Sequence, residues 1–159
     1  MDRLLSLLES NARLSDKELA GMLGKSEEEI AETIKMYEET GVIKGYQAII
    51  DKEKANVQTV TALIELKIQP QFSRGFDSVA HRIAQLEEVE SVFLMSGSID
   101  LVVMVTDKSF HEVAMFVAKR LSPLEGVVST ATHFMLRKYK EKGVFLADDN
   151  IDDRGTISL

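Results

Sequence analysis

Two helix-start signals in close succession constrain the fold of this chain more than any other feature of its sequence. Ser15 is followed three residues later by Glu18, and Ser26 by Glu29. In this capping box the serine oxygen accepts from an amide of the first turn, and the glutamate reaches back to the cap amide. Gly24 breaks the apolar stretch between the signals and leaves room only for a tight turn. The spacing predicts a helix-turn-helix, whose second helix enters the major groove of DNA.

The flanking residues complete a DNA-binding domain over residues 1–51. Leucines at helical spacing predict a first helix over residues 2–10. The apolar positions of the last helix also recur at the helical period: Ile30, Ile34 and Tyr37. Gly41 stands where a left-handed cap residue ends a helix. The β-branched stretch at residues 42–51 then predicts a strand, with a wing at Gly45.

This domain carries a negative net charge, which is unusual for a DNA-binding domain. Residues 1–51 contain 6 Lys or Arg and 11 Asp or Glu, a balance of −5. Six positions are predicted to face the groove: Ser26, Glu27, Glu28, Ala31, Glu32 and Lys35. Three of these six carry carboxylates. Groove-reading helices gain most of their affinity from Lys and Arg contacts with phosphate. The pattern therefore indicates the fold more strongly than it indicates DNA binding.

Composition excludes several other classes of protein. The 159 residues are 45% hydrophobic and carry a net charge of −7, with no cysteine. We therefore expect a folded, cytoplasmic protein with no membrane span and no thiolate metal site. The sequence shows no phosphate-binding loop and no nucleophile motif, and its three histidines are scattered: His81, His111 and His133. We expect no catalytic residues, no metal and no cofactor.

A second domain is predicted over residues 59–140, after a polar connector at residues 52–58. Its elements are a strand, a helix, two strands, a helix and a strand, at residues 59–68, 73–87, 89–95, 100–105, 109–121 and 127–136. This order is the ferredoxin-like βαββαβ arrangement, in which both helices cover one face of an antiparallel sheet. The other face carries apolar side chains, so we expect a second copy of the sheet to cover it.

The tail at residues 141–159 begins basic and becomes acidic. Residues 143–146 are able to add an edge strand to the sheet, because an apolar run follows Gly143. Residues 148–155 are rich in aspartate and predict a mobile segment. The sequence assigns no function to this tail, and a frayed terminus is the simpler interpretation.

The chain resembles the Lrp/AsnC, or feast/famine, family of prokaryotic transcription regulators over about residues 1–140. The resemblance rests on LSDKELAGMLGKS, EETGVIKGYQAIID and VFLMSGSIDLVVMV. It implies an α+β protein with an N-terminal winged helix-turn-helix and a βαββαβ module for ligand sensing and dimerisation. It also implies a homodimer, often assembled into an octamer, that binds double-stranded DNA and holds an amino-acid-like effector between dimers.

The resemblance implies an effector loop at Gly97, Ser98, Ile99 and Asp100, where the family's usual aromatic residue is replaced by Ile99. Asp100 is suited to pair with a ligand ammonium, and Gly97 lets backbone approach the ligand. The alternative is that Gly97 and Ser98 are only turn residues and that Asp100 caps the turn.

Two functions follow from these patterns. The first is an effector-modulated transcription regulator, with these predicted DNA-contacting residues: Lys25, Ser26, Glu28, Thr33, Lys35 and Lys44. The second is a ligand-sensing or protein-interaction module whose acidic helix-turn-helix no longer binds DNA. The glutamates at positions 27, 28, 29 and 32 favour the second.

Overall fold

The computed structural model describes residues 2–69 and 75–146, and the chain divides into two compact units, Met1–Ile49 and Ile50–Leu159. Residues 52–58, predicted as a connector, are part of the second unit. The predicted domain boundaries at residues 51 and 58 stay predictions.

The first unit is a three-helix domain. Its helices are α1 (Arg3–Ser10), α2 (Asp16–Leu23) and α3 (Glu27–Glu39). Five buried apolar side chains form its core: Leu4, Leu8, Leu19, Ala20 and Ile30. Each helix contributes to this set, so one apolar stripe per helix is removed from water. The predicted helices and the predicted packing of the leucines are confirmed.

Both predicted capping boxes form and fix where α2 and α3 begin. The Ser15 amide donates to the Glu18 carboxylate at 2.8 Å, and the Glu18 amide donates back to Ser15 Oγ. The Ser26 amide donates to Glu29 at 3.2 Å, and the Glu29 amide returns the bond at 3.2 Å. Between the helices Gly24 has φ +67°, a left-handed conformation that side chains with a Cβ rarely adopt. The turn therefore ends α2 and starts α3 within a few residues.

The prediction of a strand over residues 42–51 is wrong, because none of these residues joins a β-ladder. Gly41 takes the left-handed conformation expected, with φ +71°. The chain then runs along α3: the Ile43 amide donates to the Tyr37 carbonyl at 3.0 Å, and the Tyr46 hydroxyl donates to Glu38 at 2.9 Å. β-branched residues favour an extended backbone, but a strand also needs a partner for its amides. In the described part of the chain no other strand pairs with this segment.

The second unit is a four-stranded antiparallel sheet with two helices. Its elements are β1 (Val60–Ile68), α4 (Asp77–Ala84), β2 (Val89–Leu94), β3 (Leu101–Asp107), α5 (Phe110–Phe116) and β4 (Val127–Phe134). The strand order is β2-β3-β1-β4, so β1 and β3 are central. This is the predicted ferredoxin-like arrangement.

The two faces of the sheet differ because successive side chains of β1 point to opposite sides. Ala62, Ile64 and Leu66 are fully buried against the helices. Val79 and Ile83 of α4 and Val113 and Phe116 of α5 supply the helical side of that core. The residues between them on β1, from Thr61 to Lys67, point to the opposite side, which we call the outer face. The hydrophobic core therefore lies between the sheet and its two helices.

Some elements differ from their predicted extents. α4 ends at Ala84 rather than near residue 87, and its predicted start at residue 73 lies outside the described residues, as does Pro70. α5 ends at Phe116. A π-helical turn, Val117–Leu121, then carries the helix on to the predicted end at Leu121. Aromatic residues join α5 to the sheet edge, where Phe110 packs edge-on against Phe134 with ring centroids 4.8 Å apart.

The prediction of an extra edge strand at residues 143–146 is wrong in its pairing. Val144–Phe145 is a strand, but it pairs with Lys140–Glu141 in a separate hairpin. Lys142 and Gly143 both have positive φ, which is the geometry of a tight two-residue hairpin turn. That turn reverses the chain before it can reach the sheet. The predicted mobile segment at residues 148–155 lies beyond the described residues.

The Ser26 cap yields a stability prediction. Ser26→Ala removes the acceptor for the Glu29 amide, so we expect the free energy of unfolding of the N-terminal unit to fall by about 1 kcal/mol. Urea denaturation followed by circular dichroism measures the change. Ser96→Ala, at an exposed serine of the second unit, is the matched control and should change the midpoint little. Equal midpoints for the Ser26 variant and the control would contradict the capping role.

Candidate functional site

The solvent side of α3 is the candidate DNA-reading surface. Its outermost stripe recurs at helical spacing and is entirely charged: Glu28, Glu32, Lys35 and Glu39. Ile30 lies fully buried on the opposite side of the helix. Lys35 makes an exposed ion pair with Glu39 at 3.8 Å, so part of its charge is already compensated. The stripe is therefore acidic overall, as the sequence indicated.

The six predicted DNA-contacting residues do not all share that surface. Lys25 and Ser26 are exposed at the start of α3, one turn from Glu28, and Lys44 is exposed on the extended segment. Thr33 differs, because it is half-buried and its hydroxyl donates to the Glu29 carbonyl at 2.6 Å. Those six residues stay a prediction, with Lys25 the exposed cation beside the start of α3.

A contact between Asp2 and Tyr37 ties α3 to α1. The Asp2 carboxylate caps α1 through the Leu4 amide at 3.1 Å, and it also accepts a hydrogen bond from the Tyr37 hydroxyl. The Tyr37 hydrogen bond, followed by the Leu4 amide, lowers the pKa of Asp2. The same bond raises the pKa of Tyr37. Sequence patterns missed this contact, since the two residues are 35 positions apart and no local signal joins them.

Asp100 of the candidate effector loop holds the end of β1. Its Oδ2 accepts from the Ile68 amide at 2.8 Å, and its own amide donates to the Leu66 carbonyl at 3.0 Å. The pairing of β1 with β3 ends at Leu66, so the Ile68 amide lies beyond that ladder and takes this side-chain acceptor instead. The other carboxylate oxygen, Oδ1, takes no part in this bond. Asp100 therefore has a structural bond regardless of its role in binding.

The remaining loop residues are accessible. Gly97 has φ +113°, and a Cβ built there would meet no atom within 4 Å. Ser98 is exposed and Ile99 is half-buried. The structure thus brings Gly97, Ser98 and Asp100 into one open turn between β2 and β3. The backbone of this turn is able to approach a ligand, as the resemblance implied, and the assignment stays a prediction.

The second unit also contains two clefts that sequence patterns did not indicate. One, of about 150 Å³, lies between the segment before β1, the end of β4 and the hairpin, and includes Thr59, Met135 and Leu146. The other, of about 320 Å³, is an open cleft beside α5 that includes Glu88 and Arg120, which pair at 3.0 Å. Both depend on contacts between distant segments, which residue spacing cannot reveal.

The described ranges show no cluster of three or more His, Cys, Asp or Glu side chains arranged to hold a metal ion. Within the same ranges no helix has the length and apolar character needed to cross a bilayer.

Two family models cover most of the chain. An AsnC-type helix-turn-helix domain matches residues 2–38, and an Lrp/AsnC ligand-binding domain matches residues 61–145. The chain belongs to the Lrp/AsnC family. It is an Lrp/AsnC-type transcriptional regulator, built from a DNA-binding helix-turn-helix domain and a ligand-binding domain. The fold and the family implied by the sequence are therefore confirmed.

Relatives in the Lrp/AsnC family agree with this assignment. YugG of Bacillus subtilis, named an uncharacterised HTH-type transcriptional regulator, is 42% identical over 98% of this chain and 94% of its own length. An HTH-type regulator of Pyrococcus furiosus is 32% identical over 84% of this chain and 87% of its own. Such names point to a non-enzymatic role.

The fold also matches solved regulators. The L-methionine complex of transcriptional regulator NMB0573 from Neisseria meningitidis superposes with a TM-score of 0.70 at 23% identity, covering 89% of this chain and 93% of that one. At this identity the match establishes the fold alone.

The Asp2–Tyr37 contact predicts a pH-dependent stability. Since the pKa of Asp2 is lowered in the folded protein, its contribution is present above the ordinary aspartate pKa and is lost as pH falls through the folded value. We expect Tyr37→Phe to lower the thermal midpoint of the N-terminal unit near neutral pH, and the deficit to shrink in acid. Tyr139→Phe, on the exposed hairpin side, is the control. A deficit of constant size from neutral to acid pH would exclude the linkage.

Proposed function

We propose that this regulator binds DNA as a homodimer, with the N-terminus of α3 and Lys25 approaching the phosphate backbone. The exposed start of α3, with its reciprocally capped turn, carries this proposal. Lys25 is exposed beside that start and Lys44 is exposed on the segment that follows α3. Pairing two copies compensates for the weak electrostatics of one acidic helix, because linked sites multiply their affinities.

We propose that the outer face of the sheet forms the dimer interface. Its apolar members come from all four strands of the sheet: Leu63, Phe93, Val102, Met104 and Ala131. Phe93 is 50% exposed within the single chain. With about 3.3 Å per residue and about 4.8 Å between strands, the four-stranded face measures roughly 30 by 19 Å. A second copy of the same sheet matches that size and chemistry, and assembly into an octamer would use other surfaces.

We propose an amino-acid-like effector at the loop of Gly97, Ser98, Ile99 and Asp100. The ligand ammonium would bond to Asp100 Oδ1, while the exposed loop backbone contacts its carboxylate. The L-methionine complex of the Neisseria relative supports this class of ligand. Because Asp100 also holds the Ile68 amide, a ligand there would act directly on the end of β1.

The DNA proposal predicts a change in salt dependence. Lys25→Gln should weaken binding to the protein's own upstream region and reduce the slope of log affinity against log salt by about 2 for a dimer, since each copy loses one phosphate contact. Gel shifts from about 50 mM salt upwards measure it. Lys108→Gln, in the second unit, is the matched control and should leave the slope unchanged.

Glu32 provides the complementary variant. Glu32→Gln removes a carboxylate from the outward stripe and should raise DNA affinity, because repulsion of phosphate decreases. No retardation by the unmodified protein at micromolar concentration, with or without amino acids, would contradict the DNA proposal. It would favour a protein partner for the acidic stripe of α3 instead.

The effector proposal predicts that two Asp100 variants differ. Asp100→Asn keeps an acceptor for the Ile68 amide but loses the charge, so the fold should persist while amino-acid affinity falls about 10- to 100-fold. Asp100→Ala should also destabilise the domain by about 1–3 kcal/mol, because the Ile68 amide loses its partner. Calorimetric titration with a panel of free and N-acetylated amino acids measures binding. Asp107→Asn, at the other end of β3, is the control, and unchanged binding by Asp100→Asn would contradict the proposal.

A further inference from the structure

One charged pair interrupts the outer face of the sheet. Glu65 of β1 and His133 of β4 lie diagonally across adjacent strands, with Nε2 and Oε1 3.6 Å apart. The residues directly opposite Glu65 on the neighbouring strands are Val102 and Ala131, so this carboxylate stands between apolar neighbours. Its side chain is 36% exposed in the single chain. The pair is therefore open to water in one copy and would lose that water if the face were covered.

Few other charges face this pair. On the outer face β1 adds Lys67, two residues beyond Glu65 towards the end of the strand. β3 contributes Val102, Met104 and Thr106, which do not titrate near neutral pH. β2 contributes Ser91 and Phe93, and β4 contributes Ser129 and Ala131 beside His133. Among the described residues of the sheet, His133 is thus the histidine that lies beside Glu65 on the outer face.

We propose that Glu65 and His133 make dimer formation take up protons, so that the dimer tightens as pH falls through the histidine range. This inference rests on the proposed outer-face dimer. With His133 protonated, the interface buries a neutral pair of opposite charges. With His133 neutral, it buries the Glu65 carboxylate without a full counter-charge, and burying an uncompensated charge is costly. Histidine ordinarily titrates near pH ~6.5, within the physiological range.

The size of the effect follows from the stoichiometry. A symmetric dimer contains two such pairs, so assembly takes up at most two protons. Linkage then limits the change in dissociation constant to about 100-fold per pH unit. We expect the dissociation constant to rise about 10- to 100-fold between about pH 6 and about pH 8. Below that range the constant levels off, because the pair is already protonated in the free chain.

Sedimentation equilibrium of the full-length chain from about pH 5.5 to about pH 8.5 tests the inference. If the dimer is too tight to dissociate, the dependence of urea unfolding on protein concentration gives its stability at each pH. A monomer at every pH would overturn the proposed dimer itself. A dimer whose dissociation constant does not change with pH would leave the dimer intact and overturn this inference.

Variants of the two partners give opposite signatures. His133→Gln should form a weak dimer with little pH dependence, because the Glu65 carboxylate is never fully compensated. Glu65→Gln should reverse the trend and weaken the dimer as pH falls, because the His133 charge is then the uncompensated one. His111→Gln, at an exposed histidine of α5, is the matched control and should behave like the unmodified protein. The same slope in all four proteins would refute the role of the pair.

Discussion

The second unit depends on one constraint, which is that the side chains of β1 alternate between the two faces of the sheet. The inward residues of β1 are fully buried against α4 and α5, so the helices must stay on that side and the strand cannot slip by one residue. The same alternation sets Leu63 and Glu65 on the outer face, away from α4 and α5, where both are half-buried in the single chain. One face is covered by the helices, and the other is the face that we propose a second copy covers.

The first unit shows a conflict between folding and binding at the start of α3. Acidic residues in a first turn favour the helix, because they complement its dipole and Glu29 closes the capping box. The same carboxylates repel phosphate where a reading helix needs cations. Glu29 is held by its cap, so its position follows from folding, whereas Glu28 and Glu32 are exposed and make no contact that the fold requires. Those two residues set the electrostatic cost of binding DNA.

Local chemistry made much of the fold predictable. The Ser15 and Ser26 capping boxes, the left-handed Gly41 and the order of helices and strands in the second unit depend on neighbouring residues, and these predictions are confirmed. The predicted strand at residues 42–51 was wrong because a ladder depends on a partner as well as on propensity. The bond from Asp100 to the Ile68 amide joins residues 32 positions apart, so the sequence revealed a candidate ligand group but not its structural bond.

A charged pair on the outer face would give a dimer formed there a property that apolar residues cannot supply. Replacing Glu65 and His133 by leucine would bury more apolar surface, and buried ion pairs often add little net stability. The two partners belong to one chain, however, so the pair keeps its own counter-charge in any register that two sheets adopt. Apolar contacts on such a face tolerate sliding, because they are not directional. On this account the pair would not set how two copies align. What it would add to a dimer is sensitivity to protons, because the Glu65 carboxylate needs the His133 charge once water is removed.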